Sequence, residues 1–418
     1  MDQFIIEGAR PLRGSVRVSG SKNAALPILI ATLLTDDPCV IDNVPVLLRD
    51  IRTTLRLLES LGKKVELRGN SVRVTSKGSL KTQAPYDLVK QMRASVLAAG
   101  PLLARFGLVR VPIPGGCAIG LRPIDIHLQG FADMGARRIA DHGDIILSAP
   151  ALKPRRLRFT FPSVGATENL MMAACAVSGL TVIQNAACEP EIEDLGRFLN
   201  RLGAHVSGAG TPVVKIRGTL RLKGCRHCVI PDRIEAGTFL LAAAATRGNL
   251  RLLGAEGRHL GALIDKMRSG GALIKAIAGG LQISMTGRPR AVAVDTAPYP
   301  GFPTDLQAPW MSWMCSAQGR SRVKETVFEN RFLHSAELAR MGAQIGVGGN
   351  NAIITGVAQL HGAPIMASDI RAGAGLLIAA LAAHGRTVLQ RVYHIDRGYE
   401  RVEFKLRRVG ARIRRVKR

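Results

Sequence analysis

The sequence predicts an α/β protein built from six copies of one unit of about 70 residues, three copies to a domain. The first observation is a short amphipathic helix that ends in glycine. It recurs as LRLLESLGKKV (55–65), LQGFADMGARRI (128–139), LGRFLNRLGAHV (195–206), LIDKMRSGGALI (263–274), AELARMGAQIGV (336–347) and FKLRRVGARIRRV (404–416). The second is its spacing. Gly62, Gly135, Gly203, Gly271, Gly342 and Gly410 stand 73, 68, 68, 71 and 68 residues apart, too regular for chance recurrence. The third is a helix of another kind, apolar all round, that alternates with the first: KNAALPILIATLL (22–34), RASVLAAGPLLARFG (93–107), ATENLMMAACAVSG (166–179), RIEAGTFLLAAAATRG (233–248), APWMSWMCSAQG (308–319) and RAGAGLLIAALAAHG (371–385).

Each element has a physical reason. In the second copy of the amphipathic helix, Leu128, Phe131 and Met134 line one stripe, so that helix packs on a core with its other face in water. The glycine supplies a left-handed C-cap before a strand. A helix with no polar face is a buried helix. The segments that follow, such as LTVIQNAA and RTVLQRVYHI, read as strands. Each unit therefore has one buried helix, one outer helix and several short strands, and the six divide into two groups of three near Pro231. Helices inside and sheets outside invert the usual barrel.

Of the 418 residues, 47% are hydrophobic, ample for large cores and incompatible with a disordered chain. The start MDQFIIEGAR has neither the basic nor the apolar region of a secretory signal. The longest apolar run, 24–34, contains Pro27 and falls well short of the ~20 residues a membrane span needs. A soluble, cytoplasmic protein without membrane insertion is expected. Seven scattered cysteines fit reduced thiols better than a disulfide framework. Cys225 and Cys228 form a CxxC, but a zinc site needs about four ligands and no second pair lies nearby, so they read as incidental thiols on a strand and no metal is expected. The 58 Lys+Arg against 31 Asp+Glu give +27, which raises nucleic-acid binding. The basic residues are spread along the chain and aromatics are only 4%, so a solvated basic surface is the favoured reading.

Polar residues at the starts of the apolar helices carry the chemistry. Lys22 begins the first, where helix dipole and free N–H groups favour anions. Arg93 begins the second, and Ser163-Val164-Gly165 precede the third as a small turn able to hydrogen-bond through its backbone. Asp232-Arg233 precede the fourth, Thr304-Asp305 the fifth, and Asp369 with Arg371 the sixth. If the two groups of repeats face each other, these starts meet in a cleft between the domains, electropositive and suited to substrates rich in phosphate and carboxylate. The stretch PGGCAIGLRP (114–123) is no Walker loop, because no Lys-Ser/Thr follows. Its glycines suit a lid carrying Cys117.

The segments SKNAALP, YDLVKQMRAS, PGGCAIGLRPIDIH, FPSVGATEN, PDRIEAGT, GFPTDLQA, ETVFENRF, SDIRAG and YHIDRGYERVE resemble the UDP-N-acetylglucosamine 1-carboxyvinyltransferases, a branch of the enolpyruvyl transferases. The likeness runs from end to end. It implies a two-domain inside-out α/β barrel with the active site in the interdomain cleft, residues 1–20 and 230–418 forming one domain and 21–229 the other. It implies transfer of enolpyruvyl from phosphoenolpyruvate to the 3′-hydroxyl of UDP-N-acetylglucosamine with release of phosphate, the first committed step of peptidoglycan precursor synthesis. No cofactor is implied, and a monomer or weak oligomer is expected.

The resemblance also assigns residues. Cys117 becomes the acid and the site of a covalent adduct, alkylated by fosfomycin, and Asp305 the general base. Lys22, Asn23, Arg93, Arg122 and Arg397, with Cys117, bind phosphoenolpyruvate, and Lys22 and Arg397 share in catalysis. Asp369 and Arg371 assist closure and the enolpyruvyl step. Asn23, Arg93, Arg122, Pro123, Ile124, Asp125, Ile126, His127, Ser163, Val164, Gly165, Asp305 and Val327 take the UDP-sugar. Three departures stand out. Lys90 replaces the usual arginine and loses its bidentate fork. Pro309 replaces the usual glutamine, and with Thr304 as N-cap it would leave the Asp305 carbonyl without its helical partner. Gly270-Gly271 would loosen the fourth outer helix. They leave room for a paralogue acting on another nucleotide or nucleoside acceptor.

Overall fold

The computed structural model describes residues 2–90, 92–112, 124–141 and 144–417. Six small sheets carry the repeat. The third repeat shows the pattern: strand Arg156–Arg158, helix Val164–Cys175, strand Gly179–Gln184 parallel to the first, helix Pro190–Arg201, then strands His205–Ser207 and Val213–Gly218. In the sheet the fourth strand lies between the second and third, antiparallel to both. The second repeat has three strands among the described residues, with a parallel bridge from Gln83 to Arg110 where the others have their first strand.

Termini and crossovers complete three of the sheets. Gln3–Glu7 enters between Arg386–Gln390 and Arg412–Val416, supplying the last strand of the sixth repeat. Arg13–Arg17 pairs in parallel with Asn249–Leu253 and serves as first strand of the fourth. Arg226–Cys228 does the same for the first repeat beside Cys39–Asp42. Two compact units result, one of residues 2–19 and 231–417, the other of the described residues within 20–230. Each encloses its own apolar core.

The apolar helices form these cores. In helix Lys22–Ala31 every residue but Asn23 is buried, and in helix Arg233–Ala245 every residue from Ile234 to Ala244 is buried. Strands alternate: Val214 and Ile216 point inward from Val213–Gly218 while Lys215 and Arg217 face water. The same outward positions hold Arg251, Arg320, Arg322, Arg412 and Arg414, which accounts for part of the excess positive charge. The six marker glycines all lie at positive φ, from +90° at Gly342 to +106° at Gly62, as the C-cap reading requires.

Two local expectations are corrected. Thr304 is not an N-cap. The fifth buried helix opens with a 3₁₀ turn, Thr304–Leu306, preceded by Pro303, and becomes α-helical over Gln307–Met314. Pro309 is then the third α-helical residue, inside the first turn where N–H groups lack intrahelical acceptors anyway. Pro101 holds the same place in helix Ala99–Phe106, after the 3₁₀ turn Arg93–Ala98. In both repeats a missing proline N–H coincides with the tighter opening turn. Nor do Gly270 and Gly271 loosen an outer helix. Helix Gly261–Ser269 ends before them, and a Cβ on Gly270 would come 2.4 Å from the Trp313 ring, so the glycine admits that indole.

Candidate active site

In the unit of residues 231–417 the three buried helices pack on one another, which brings their starts together. Asp232 caps the first, accepting from the N–H groups of Ile234 and Glu235. Asp369 caps the third through the N–H groups of Arg371 and Ala372 at 2.9 and 3.0 Å. Asp305 lies in the 3₁₀ opening of the second. Its Oδ2 accepts from Arg371 Nη2 at 2.9 Å and its Oδ1 from Arg331 Nη2 at 2.7 Å. Both arginines are buried, at 3% and 8% side-chain exposure for Arg331 and Arg371, whereas Asp305 keeps 27%. Burial works against the Arg371 charge, yet Asp305, Tyr399 and Asp232 outweigh it and shift the guanidinium upward. Arg371 Nη1 also donates to the Tyr399 hydroxyl, itself 2.9 Å from Thr238 Oγ1. Arg397 ends the 3₁₀ turn Val392–Arg397 and is half-buried.

Arg331, which sequence reasoning did not single out, is thus the second clamp on Asp305. It belongs to a segment held by Glu325, whose buried carboxylate accepts from Thr296 and Thr304 at 2.8 and 2.9 Å and from the N–H groups of Val327 and Phe328. The Val327 N–H is therefore already engaged, so a ligand would meet that residue by other atoms. His334 follows on the same segment. Burial drives its imidazole down to about 4; Asp369 resists this and Arg331 adds to it. A base whose pKa is lower folded than unfolded binds fewer protons when folded, so stability rises with pH between 4 and 6.5. Across that window wild type should gain about 3 kcal/mol relative to His334→Leu, measured by urea unfolding of both proteins. A constant difference would show that His334 is not held neutral.

The unit of residues 20–230 holds the other candidates. Lys22 is the first residue of its helix, with Ser21 capping the Ala24 N–H, and its Nζ is 3.3 Å from Asp50 on helix Arg49–Ser60. Arg93 opens its 3₁₀ turn, at the equivalent place in the next repeat. Ile124 precedes helix Asp125–Asp133, on which Asp125 is exposed, Ile126 is half-buried and His127 is buried. Ser163 caps helix Val164–Cys175, leaving the N–H groups of Val164 and Gly165 without intrahelical acceptors. Two of the expected UDP-sugar segments meet here: a Cβ on Gly165 would stand 3.3 Å from His127 Cε1 and Nε2.

Asn169, the last residue of FPSVGATEN and given no role there, fixes that histidine. Its Oδ1 accepts from Gly100 N at 2.7 Å, which makes Nδ2 the donor to Val96 O and to His127 Nδ1 at 3.1 Å. The imidazole is then held with its proton on Nε2, toward Gly165. Glu168 beside it is buried, and burial together with Glu191 and Glu189 pushes its carboxyl well above the usual range. Lys90 is exposed and pairs with Asp87 at 2.6 Å, a local contact. Cys117, Arg122 and Pro123 lie outside the described residues, as does the whole of the expected lid of residues 114–123.

Residues 6–406 match the family model of EPSP synthase (3-phosphoshikimate 1-carboxyvinyltransferase). The chain belongs to the EPSP synthase family. Among its relatives, a UDP-N-acetylglucosamine 1-carboxyvinyltransferase of Nitratidesulfovibrio vulgaris (strain DP4) is 54% identical over 99% of both chains, and one of Oleidesulfovibrio alaskensis is 52% identical over 100% of both. The crystal structure of the enolpyruvyl transferase NikO from Streptomyces tendae superposes with a TM-score of 0.90 at 25% identity over 99% of each chain. EPSP synthase from Acinetobacter baumannii, at 18% identity and a TM-score of 0.76, shares the fold. The two-unit α/β architecture with internal helices is thus the EPSP synthase fold, as the sequence predicted. Among the described residues no helix of this EPSP synthase family member is long and apolar enough to cross a membrane.

Proposed function

We propose that the chain transfers the enolpyruvyl group of phosphoenolpyruvate to the 3′-hydroxyl of UDP-N-acetylglucosamine and releases phosphate, as the first committed step of peptidoglycan precursor synthesis in the cytoplasm. The observation that carries this reading is 54% identity along the whole length to a relative bearing that enzyme's name. Addition to the enol requires a proton on the methylene carbon and removal of one from the alcohol. Asp305 is the base: a carboxylate offers about four acceptor sites, so two guanidinium bonds orient it without exhausting it. Cys117 is the acid. Lys22, Arg93, Arg122 and Arg397 hold phosphate and carboxylate and stabilise the charge on the leaving group. His127, Gly165 and the N–H groups at the start of helix Val164–Cys175 serve the UDP-sugar.

A panel of acceptors incubated with phosphoenolpyruvate tests the proposal. Phosphate release should require UDP-N-acetylglucosamine and should not occur with shikimate 3-phosphate or with other nucleotides. Release that shikimate 3-phosphate supports equally, or that needs no acceptor, would sink it. Fosfomycin should stop the reaction and add its mass to the peptide containing Cys117.

A further inference from the structure

The spacing of CxxC suggests Cys228 as the partner of Cys225, but the fold supplies a different one. Strand Arg226–Cys228 runs parallel to Cys39–Asp42 with Arg226 opposite Val40, and the Val40 N–H donates to the Cys225 carbonyl at 2.9 Å. One step earlier in that register Cys225 stands beside Cys39. Both side chains are then on the same face of the sheet, because Cβ atoms alternate along each strand. Paired positions on neighbouring strands are about 4.8 Å apart, within the Cα separation that a disulfide spans. The two thiols are near enough to shift each other's ionisation, and Cys39 Sγ also lies 3.9 Å from the Asp37 carbonyl oxygen. Cys39 is fully buried and Cys225 half-buried, so solvent reaches one sulfur of the pair. Cys228, three residues on, belongs to the opposite face and is exposed.

The pair readily loses one proton: the neighbouring Cys39 and burial push the Cys225 thiol up while Cys39 itself is drawn down. The Cys225 S–H draws Cys39 down to about 7 against the effect of burial, and the Lys63 ammonium adds to the pull. Lys63 is buried and anchored to Thr35 O and Ser76 Oγ at 2.5 and 3.0 Å. A thiolate is the species that attacks a disulfide.

We propose that Cys39 and Cys225 are a reversible dithiol/disulfide couple, a modification site for low-molecular-weight disulfides. Cys225, the accessible sulfur, passes its proton to the Cys39 thiolate and attacks the external disulfide; one S–S bond breaks, a mixed disulfide forms, and one small thiolate leaves. Cys39 then attacks Cys225 Sγ and expels the second. The two cysteine protons pass to the two departing thiolates, and two electrons move from the protein to the oxidant. The new bond ties the first repeat to the last strand of its unit, with nearly the whole unit inside the closed loop.

Full-length protein equilibrated with oxidised glutathione, alkylated and digested, should yield one cross-linked peptide pair joining Cys39 to Cys225. Dithiothreitol should release it. A cross-link closing so long a loop should raise the melting temperature by roughly 5–10 °C. Cys225→Ser should lose both the cross-link and the shift, whereas Cys228→Ser should keep both. The proposal is overturned if Cys39 and Cys225 are both still alkylated, if glutathione remains on Cys225 with Cys39 free, or if Cys225 bonds to Cys228. The peptide map of the unaltered protein decides these outcomes even if a variant folds poorly.

Discussion

Asp305→Asn should lower kcat about a thousandfold, the middle of the range for a positioned general base, while KM for UDP-N-acetylglucosamine changes only a few-fold. The amide keeps the shape and one acceptor oxygen but has no proton affinity to offer the sugar hydroxyl. It also turns an NH₂ group toward one of two buried guanidiniums, Arg331 or Arg371, each of which now ends on the carboxylate. Breaking a buried pair by removing one partner costs about 3–5 kcal/mol; with Asp305 partly exposed, about 2 kcal/mol is the fitting expectation. The melting temperature should fall by roughly 4–8 °C for a unit of this size. Rates measured well below that temperature separate chemistry from unfolding. Asp305→Glu is the control: it returns the carboxylate, and so most of the stability, but displaces it by a methylene, so kcat should stay depressed. Near-normal turnover by the Asp305→Asn protein would remove Asp305 from the role of base.

How much of this arrangement the sequence displayed depends on what kind of signal each feature leaves. The repeat was legible because a glycine at positive φ and an all-apolar helix are local demands, met six times with near-constant spacing. The helix starts were legible for the same reason, and they led to Lys22, Arg93, Asp305, Asp369 and Arg371. What these residues touch was not legible. Asp305 and Arg371 belong to different repeats, and their meeting depends on how the buried helices pack. Arg331 sits in an irregular segment shaped by the Glu325 carboxylate, where no periodicity marks it. Asn169 looked like one more helix residue until Gly100 N–H fixed its amide and, through it, the His127 tautomer. Pro309 was read against a regular helix, and the 3₁₀ opening of that helix changed its meaning.

Arg331→Met should be the most informative substitution outside the residues that the helix starts reveal. Methionine fills a similar volume, so the loss is mainly of charge and of the bonds to Asp305 Oδ1 and the Thr304 carbonyl. Alone it should cost about 2–3 kcal/mol, because Asp305 loses one of its clamps. It should also reduce kcat by roughly tenfold to a hundredfold by letting the carboxylate turn about its contact with Arg371. Combined with Asp305→Asn, however, the same change removes a guanidinium that the amide satisfies poorly. The double variant should therefore be more stable than the sum of the single losses predicts, by about 1–3 kcal/mol, the coupling expected of residues that share a hydrogen bond. Its turnover should match that of Asp305→Asn alone, since a clamp has nothing to orient once the base is gone. Strictly additive stabilities and additive losses in kcat would mean that Arg331 acts independently of Asp305. In that case the short contact between them would be packing, and the positioning of the base would rest on Arg371.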